Sequence, residues 1–197
     1  MNSKQSTLNI KPGNFKSEIE LPYSKSYANR ALAIASVVKG AFVVKNLATS
    51  SDVQTMISCL RQVGLDIVEN SDGIEVINSF PECEKVTSDI IRINTGDGGT
   101  TNRILLGILS LGKNTYELCS TEKFKERPNE EAFTTLESLG VLSEKPDADD
   151  NYWIRLKGPA KKVQELEVDC SETTQFYTGF KLLEFTNGTR VIPKSLK

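Results

Sequence analysis

The chain has no histidine in 197 residues. That removes the Ser–His and Cys–His couples of nucleophilic catalysis and the commonest metal ligand, leaving any proton transfer to Asp, Glu, Lys, Tyr or Cys. Its four cysteines, Cys59, Cys83, Cys119 and Cys170, are scattered without a CxxC pair, which favours reduced thiols over disulfides or a zinc site. No apolar run approaches the length that spans a bilayer, and the opening residues MNSKQSTLNIKPG lack the apolar stretch of a signal peptide. Positive charge is not in excess either. With 24 Lys and Arg against 26 Asp and Glu the net charge is −2, which does not suggest a nucleic-acid or anionic-membrane surface. The 38% hydrophobic and 25% charged composition fits a globular protein of one or two domains, and the cytoplasm is the expected compartment.

What the chain does have is an order of elements that recurs. Residues 21–40, LPYSKSYANRALAIASVVKG, read as an extended lead-in, a tight polar turn and an amphipathic helix over Tyr27–Lys39. Ala28, Ala31, Leu32, Ala35 and Val38 share one helix face, and Gly40 ends it. A strand at Ala41–Leu47 follows, then a helix capped by Ser50, Ser51 and Asp52 and ended by Gly64. Leu65–Glu69 and Ile74–Asn78 flank Asn70-Ser71-Asp72-Gly73 as a hairpin.

The second round runs from strand Ile90–Ile93 through the turn TGDGGTTNR into a helix carrying Ile104, Leu105, Ile108 and Leu111, stopped by Gly112. Strand Tyr116–Cys119, the polar loop STEKFKERP, helix Asn129–Leu139 with Gly140 after it, and strands Val141–Leu142 and Tyr152–Leu156 complete it. The third round gives strand Leu166–Asp169, the turn SETTQ, a helix through Leu183 and strand Thr189–Ile192. Ahead of them all, TLNI and SEIEL read as short strands. The register is regular: 73 residues separate Asn29 from Asn102 and Asn102 from Gln175, and 76 separate Gly64 from Gly140. Such a period marks repeated supersecondary units. By it the third unit is incomplete, because its second helix would fall beyond Lys197.

SKSYANR, GDGGTTNR and SETTQ each precede or open a unit's first helix. There the first backbone N–H groups lack helical partners and the macrodipole is positive. The turns add Lys25, Ser26, Arg30, Gly99, Thr100, Arg103, Thr173, Thr174 and Gln175, and Arg127 stands in KERP at the next helix start. If the units pack about a pseudo-threefold axis, these turns converge on one cleft suited to an anionic, phosphorylated small molecule. Singly, each has a plainer reading: a serine cap, a strand-to-helix turn, a surface arginine. Their recurrence in register favours the site. Cys119, beside the KERP loop, reads as a structural thiol before a nucleophile.

LPYSKSYANRAL, GDGGTTNRIL, KERP and SETTQF, in this order and spacing, resemble the 3-phosphoshikimate 1-carboxyvinyltransferase (EPSP synthase) family, whose patterns are close to LPGSKSxSNRAL, GNAGTAMRPL, KERP and SSQF. The resemblance implies an inside-out α/β (enolpyruvyl transferase-like) domain of repeated βαβαββ units. Residues 1–20 would form N-terminal strands or a crossover, and 21–197 the N-terminal domain, in units of about 21–80, 86–157 and an incomplete 163–197. On this resemblance the family's C-terminal domain would be absent from these 197 residues, and with it the catalytic carboxylate.

By position, Lys25 would contact both substrates. Ser26, Arg30, Thr173 and Thr174 would hold shikimate 3-phosphate, Gly99 and Arg127 phosphoenolpyruvate, and Gln175 both. The implied reaction moves the enolpyruvyl group to shikimate 3-phosphate with no metal or organic cofactor. Three departures stand out: Tyr23 for a glycine, Ile104 for a proline, and Asp97 for an asparagine. Asp97 would put a carboxylate where two anions meet. The chain alone would then bind substrate and not catalyse, its partner being the C-terminal domain of the same enzyme. Two alternatives are a non-catalytic anion-binding domain and the sister transferase acting on UDP-N-acetylglucosamine, whose Ala-Lys-Asn turn is Ser24-Lys25-Ser26 here.

Overall fold

The structure, a computed structural model, describes residues 22–196. The expected strands TLNI and SEIEL lie outside the described residues. Helix α1 spans Lys25–Val37 and is capped by Ser24, whose side chain accepts from the Tyr27 N–H at 3.4 Å. The helix therefore starts two residues before the expected Tyr27, and Lys25 and Ser26 sit in its first turn. Strand β1 is Phe42–Val44, shorter than the expected Ala41–Leu47, since Asn46 turns the chain at φ 55°. Helix α2 (Ser51–Gln62) and strands β2 (Ile67–Asn70) and β3 (Gly73–Val76) follow. The sheet order is β1-β3-β2, antiparallel throughout.

The second round forms β4 (Ile90–Gly96), α3 (Gly99–Leu109), β5 (Thr115–Ser120), α4 (Glu122–Lys125), α5 (Glu130–Ser138), β6 (Leu142–Glu144) and β7 (Tyr152–Lys157). Its sheet runs β4-β5-β7-β6, with β4 and β5 parallel and the other pairs antiparallel. The third has β8 (Glu165–Asp169), α6 (Gln175–Phe180), α7 (Leu183–Thr186) and β9 (Arg190–Lys194), with β8 and β9 parallel. Thus β1-β3-β2 reproduces the β5-β7-β6 part of the middle sheet, and β8-β9 its β4-β5 part.

Three expectations change. The helix through Leu183 is two pieces, because Leu182 and Glu184 donate to carbonyls three residues back, at Gly179 and Lys181, a tighter turn than an α-helix makes. The loop STEKFKERP contains the one-turn helix α4, which buries Phe124 completely. Gly112 does not end α3 through a left-handed backbone, as Gly40, Gly64 and Gly140 do for their helices. Instead a Cβ at Gly112 would stand 2.6 Å from Glu84 Oε1 and 2.7 Å from the Phe80 ring.

Helix α3 is the centre. From Gly99 to Leu109 every residue but Thr100 is buried, as expected of a helix enclosed on all sides. Helices α1 and α6 pack against it. The α3–α6 contact is backbone on backbone: a Cβ at Gly107 would overlap the Gly179 carbonyl, and one at Gly179 would stand 2.7 Å from the Arg103 carbonyl. On the middle sheet, Arg92, Glu117, Arg155 and Glu144 form one cross-strand row of alternating charge, with Glu117 fully buried between Arg92 Nε and Arg155 Nη2, each at 2.7 Å.

In an exposed helix Gly→Ala stabilises by about 1 kcal/mol. Gly107→Ala is expected to do the reverse here, destabilising by about 3 kcal/mol through overpacking. Urea unfolding of both proteins, compared at a common slope, measures it. A stabilised variant would mean that α3 and α6 do not touch as described.

Candidate functional site

The polar turns meet at the N-terminal end of α3. Lys25, in the first turn of α1, pairs with Asp52, in the first turn of α2, at 2.7 Å. The same Asp52 carboxylate lies 3.1 Å from where a Cβ would stand on Gly98, the cap of α3. One residue on, a Cβ at Gly99 would lie 2.9 Å from Arg127 Nη1, 3.0 Å from Gln175 Oε1 and 3.7 Å from Arg103 Nη1. Gly99 is therefore surrounded by groups from three elements, and only a glycine leaves them room. Gln175 opens α6 and donates through Nε2 to Thr100 Oγ1 at 3.1 Å. The first turns of α1, α2, α3 and α6 and Arg127, three residues before α5's first, are thus joined edge to edge.

Beneath this surface the polar residues of α3 are each tied down. Asn102 donates to the carbonyls of Gly96 and Gly98 at 3.1 and 3.0 Å and accepts from Trp153 Nε1 at 2.8 Å. Thr101 accepts from Asn29 and donates to the Asp52 carbonyl, both at 3.4 Å. Phe124 lies edge-on to Trp153 at 5.2 Å, with the Arg103 and Arg127 guanidinium carbons each 5.6 Å from its ring centre. Such stacking orients a guanidinium without using its N–H groups.

Not all the expected residues join the cluster. Arg30 donates to Ser26 Oγ at 2.9 Å and lies over the Tyr27 ring, both along α1. Thr173 reaches the cluster only through Arg103 Nη1 at 3.5 Å and the Gln175 N–H at 3.2 Å, from both of which it accepts, while Thr174 is exposed. Cys119 is half-buried beside Asn151 Oδ1, and burial followed by the Glu117 charge pushes its thiol above the ordinary range; Cys59 is pushed up to about 12 by burial. Neither suits a nucleophile. A cavity of about 480 Å³ lies at the opposite ends of α1 and α3, lined by Val38, Phe80, Leu111 and Phe185.

A family model described as EPSP synthase (3-phosphoshikimate 1-carboxyvinyltransferase) matches residues 10–192. The chain belongs to the EPSP synthase family. The 3-phosphoshikimate 1-carboxyvinyltransferase of Aliivibrio salmonicida (strain LFI1238) is 30% identical over 164 residues, 83% of this chain and 38% of that protein. That of Photobacterium damsela subsp. piscicida is 30% identical over 175 residues, 88% of this chain and 41% of that one. A solved EPSP synthase from Acinetobacter baumannii superposes with a TM-score of 0.70 at 21% identity, over 87% of this chain and 39% of its own. The fold is therefore the inside-out α/β fold of the EPSP synthases, and the chain spans about two-fifths of the length of the curated relatives it matches.

Set against the family pattern, Asp97 is turned outward. Its carboxylate is half-exposed and faces Lys123 Nζ at 3.9 Å. Two residues of the cluster carry no signal of their own in the sequence. Asp52 reads as a helix cap, and Phe124 as one aromatic in a polar loop. That lone aromatic among seven charged or polar neighbours was the available clue to a buried anchor.

Phe124→Ala is expected to cost about 4 kcal/mol, the order found for emptying a buried aromatic site. It should also broaden the Arg127 side-chain resonances relative to those of Arg30, which touches none of the same groups. Chemical denaturation and nitrogen-15 spectra read the two effects separately.

Proposed function

We propose that this chain is the N-terminal, substrate-binding part of a cytoplasmic enzyme. It would transfer the enolpyruvyl group of phosphoenolpyruvate to the 5-hydroxyl of shikimate 3-phosphate. On this reading residues 21–197 form one domain of three related units, about 21–80, 86–157 and 163–197, and the remaining polypeptide supplies the acid/base carboxylate. The observation that carries it is the meeting of Lys25, Gly99, Arg127 and Gln175 at one helix terminus. Family membership supplies the substrates.

The residues divide by chemistry. Arg127 presents a fork to the carboxylate or phosphate of phosphoenolpyruvate, over a glycine that lets the anion approach the first N–H groups of α3. Lys25, released from Asp52, supplies a point charge between the two substrates. Arg30 and the hydroxyls of Ser26, Thr173 and Thr174 take the 3-phosphate, and Gln175 reaches both ligands. The hydroxyl oxygen adds to the enol carbon as its proton is lost and a proton is taken up at the methylene carbon, giving the tetrahedral adduct; departure of phosphate with loss of one methyl proton restores the double bond. We assign proton removal from the hydroxyl to the remaining polypeptide, since among the described residues the carboxylate beside Lys25 is Asp52, and it is paired.

Calorimetric titration of the chain with shikimate 3-phosphate, beside Arg30→Ala, tests the reading. Binding that weakens about tenfold in the variant, the order for losing a charge-assisted contact, supports it. Binding indifferent to Arg30 would remove the phosphate from α1. Absence of binding by the folded chain would count against the reading, the surface then being incomplete or closed by Asp97 and Tyr23.

A further inference from the structure

Two arginines stand at the head of α3 within 4 Å of the same point above Gly99, and the structure separates them. Arg127 is half-buried, with its guanidinium stacked on Phe124. Arg103 is 6% exposed. Its Nη1 donates to Gln175 Oε1 at 2.9 Å and Thr173 Oγ1 at 3.5 Å, and its Nη2 to the Pro128 carbonyl at 2.9 Å and Asn129 Oδ1 at 3.3 Å. Those four contacts use the four N–H groups of the fork, and Nε is buried without a partner among the described residues. Phe176 and Phe124 pack on the guanidinium, with ring centres at 4.9 and 5.6 Å. The one unused N–H, at Nε, is buried away from solvent, and the fork itself is fully engaged.

Resting on the substrate-binding reading above, we infer that Arg103 is a positioning residue. It sets the amide of Gln175 and the backbone beside Arg127 into the orientation that receives the anion, and does not itself touch the ligand. With Oε1 of Gln175 committed to Arg103 and 3.0 Å from where a Cβ would stand on Gly99, Nε2 is the end that faces Thr100. A guanidinium can accept nothing, so the amide cannot flip without losing a bond. Holding the Pro128 carbonyl fixes the chain immediately after Arg127. All four acceptors are neutral, so the Arg103 charge is not cancelled locally. It is uncomfortable there: burial, then the neighbouring Arg127, lower its pKa. An anion at Gly99 relieves that repulsion, which makes an uncancelled arginine a favourable second-rank support for an anion site.

The first test uses the unaltered protein. In nitrogen-15 spectra, titration with shikimate 3-phosphate and with inorganic phosphate should move the Arg127 guanidinium signals and leave those of Arg103 in place. Arg103 signals that move as far as those of Arg127 would overturn the assignment. The second test is a cycle of Arg103→Lys, Gln175→Met and the double variant, each checked by thermal unfolding. Arg103→Lys keeps charge and loses the fork. It should displace the Gln175 side-chain amide signal with no ligand present and weaken binding about tenfold, with little further loss in the double variant. An undisplaced amide signal, or losses that multiply to about a hundredfold, would defeat the inference. Failure of the unaltered chain to bind would count against the substrate reading, while the ligand-free Gln175 signal still decides the role of Arg103.

Discussion

A helix enclosed on every side has no water to which its polar residues can turn. Helix α3 is such a helix, and its first turns carry Thr101, Asn102 and Arg103, all buried. Each must find its partners in protein, since an unpaired buried polar group costs on the order of 1–3 kcal/mol. Asn29, Asp52, Trp153, Gln175 and the Pro128 carbonyl answer that demand from five separate places in the chain. The convergence of the polar turns is thus a consequence of burying α3. Gly107 and Gly179 let α6 come close enough for Gln175 to reach Arg103 at all.

The same arrangement governs charge. Lys25 is balanced by Asp52 in a pair that is half-exposed on the lysine side, and such a pair contributes at most about 1 kcal/mol. A doubly charged phosphate can displace the carboxylate from Lys25. Asp52 then keeps its place at the N-terminus of α2, where the helix field favours a negative group. Asp97 is drawn toward Lys123 across open solvent, so the carboxylate that replaces the family's asparagine is partly screened at its own loop. Arg103, like Arg127 beside it, has no carboxylate in hydrogen-bonding range among the described residues, and it sits beside a glycine whose missing side chain leaves room for an anion.

The sequence was legible wherever local chemistry decides the outcome. Apolar spacing in α1 and α3, the Asn70–Gly73 hairpin and the glycines after three helices all describe the chain's own preferences. The 73-residue register carried the convergence of the turns one step further, because equal positions in equal units occupy equal places. What stayed hidden depends on neighbours distant in the chain. That Ser24 is the serine that caps α1 depends on which N–H its hydroxyl meets, here that of Tyr27. Gly112 is required by Glu84 and Phe80, 28 and 32 residues away. Arg103 looked like one more cation for a ligand, and only the contacts from Pro128, Thr173 and Gln175 reveal it as occupied.

The site remains open on the side away from α3: Lys25 has half its side chain in water, and Thr174 and Asp97 are exposed. Two unit charges 4 Å apart attract by about 1 kcal/mol in bulk water and about 4 kcal/mol at the effective dielectric of a protein surface. Covering the cluster with further polypeptide would therefore strengthen every cation–anion contact several-fold without altering a residue. The chain spans about two-fifths of its relatives' length, so on the proposed reading such a cover exists. A surface built this way holds its groups in place beforehand and leaves their strength to whatever excludes the water. That division suits a cleft between two bodies better than a pocket within one.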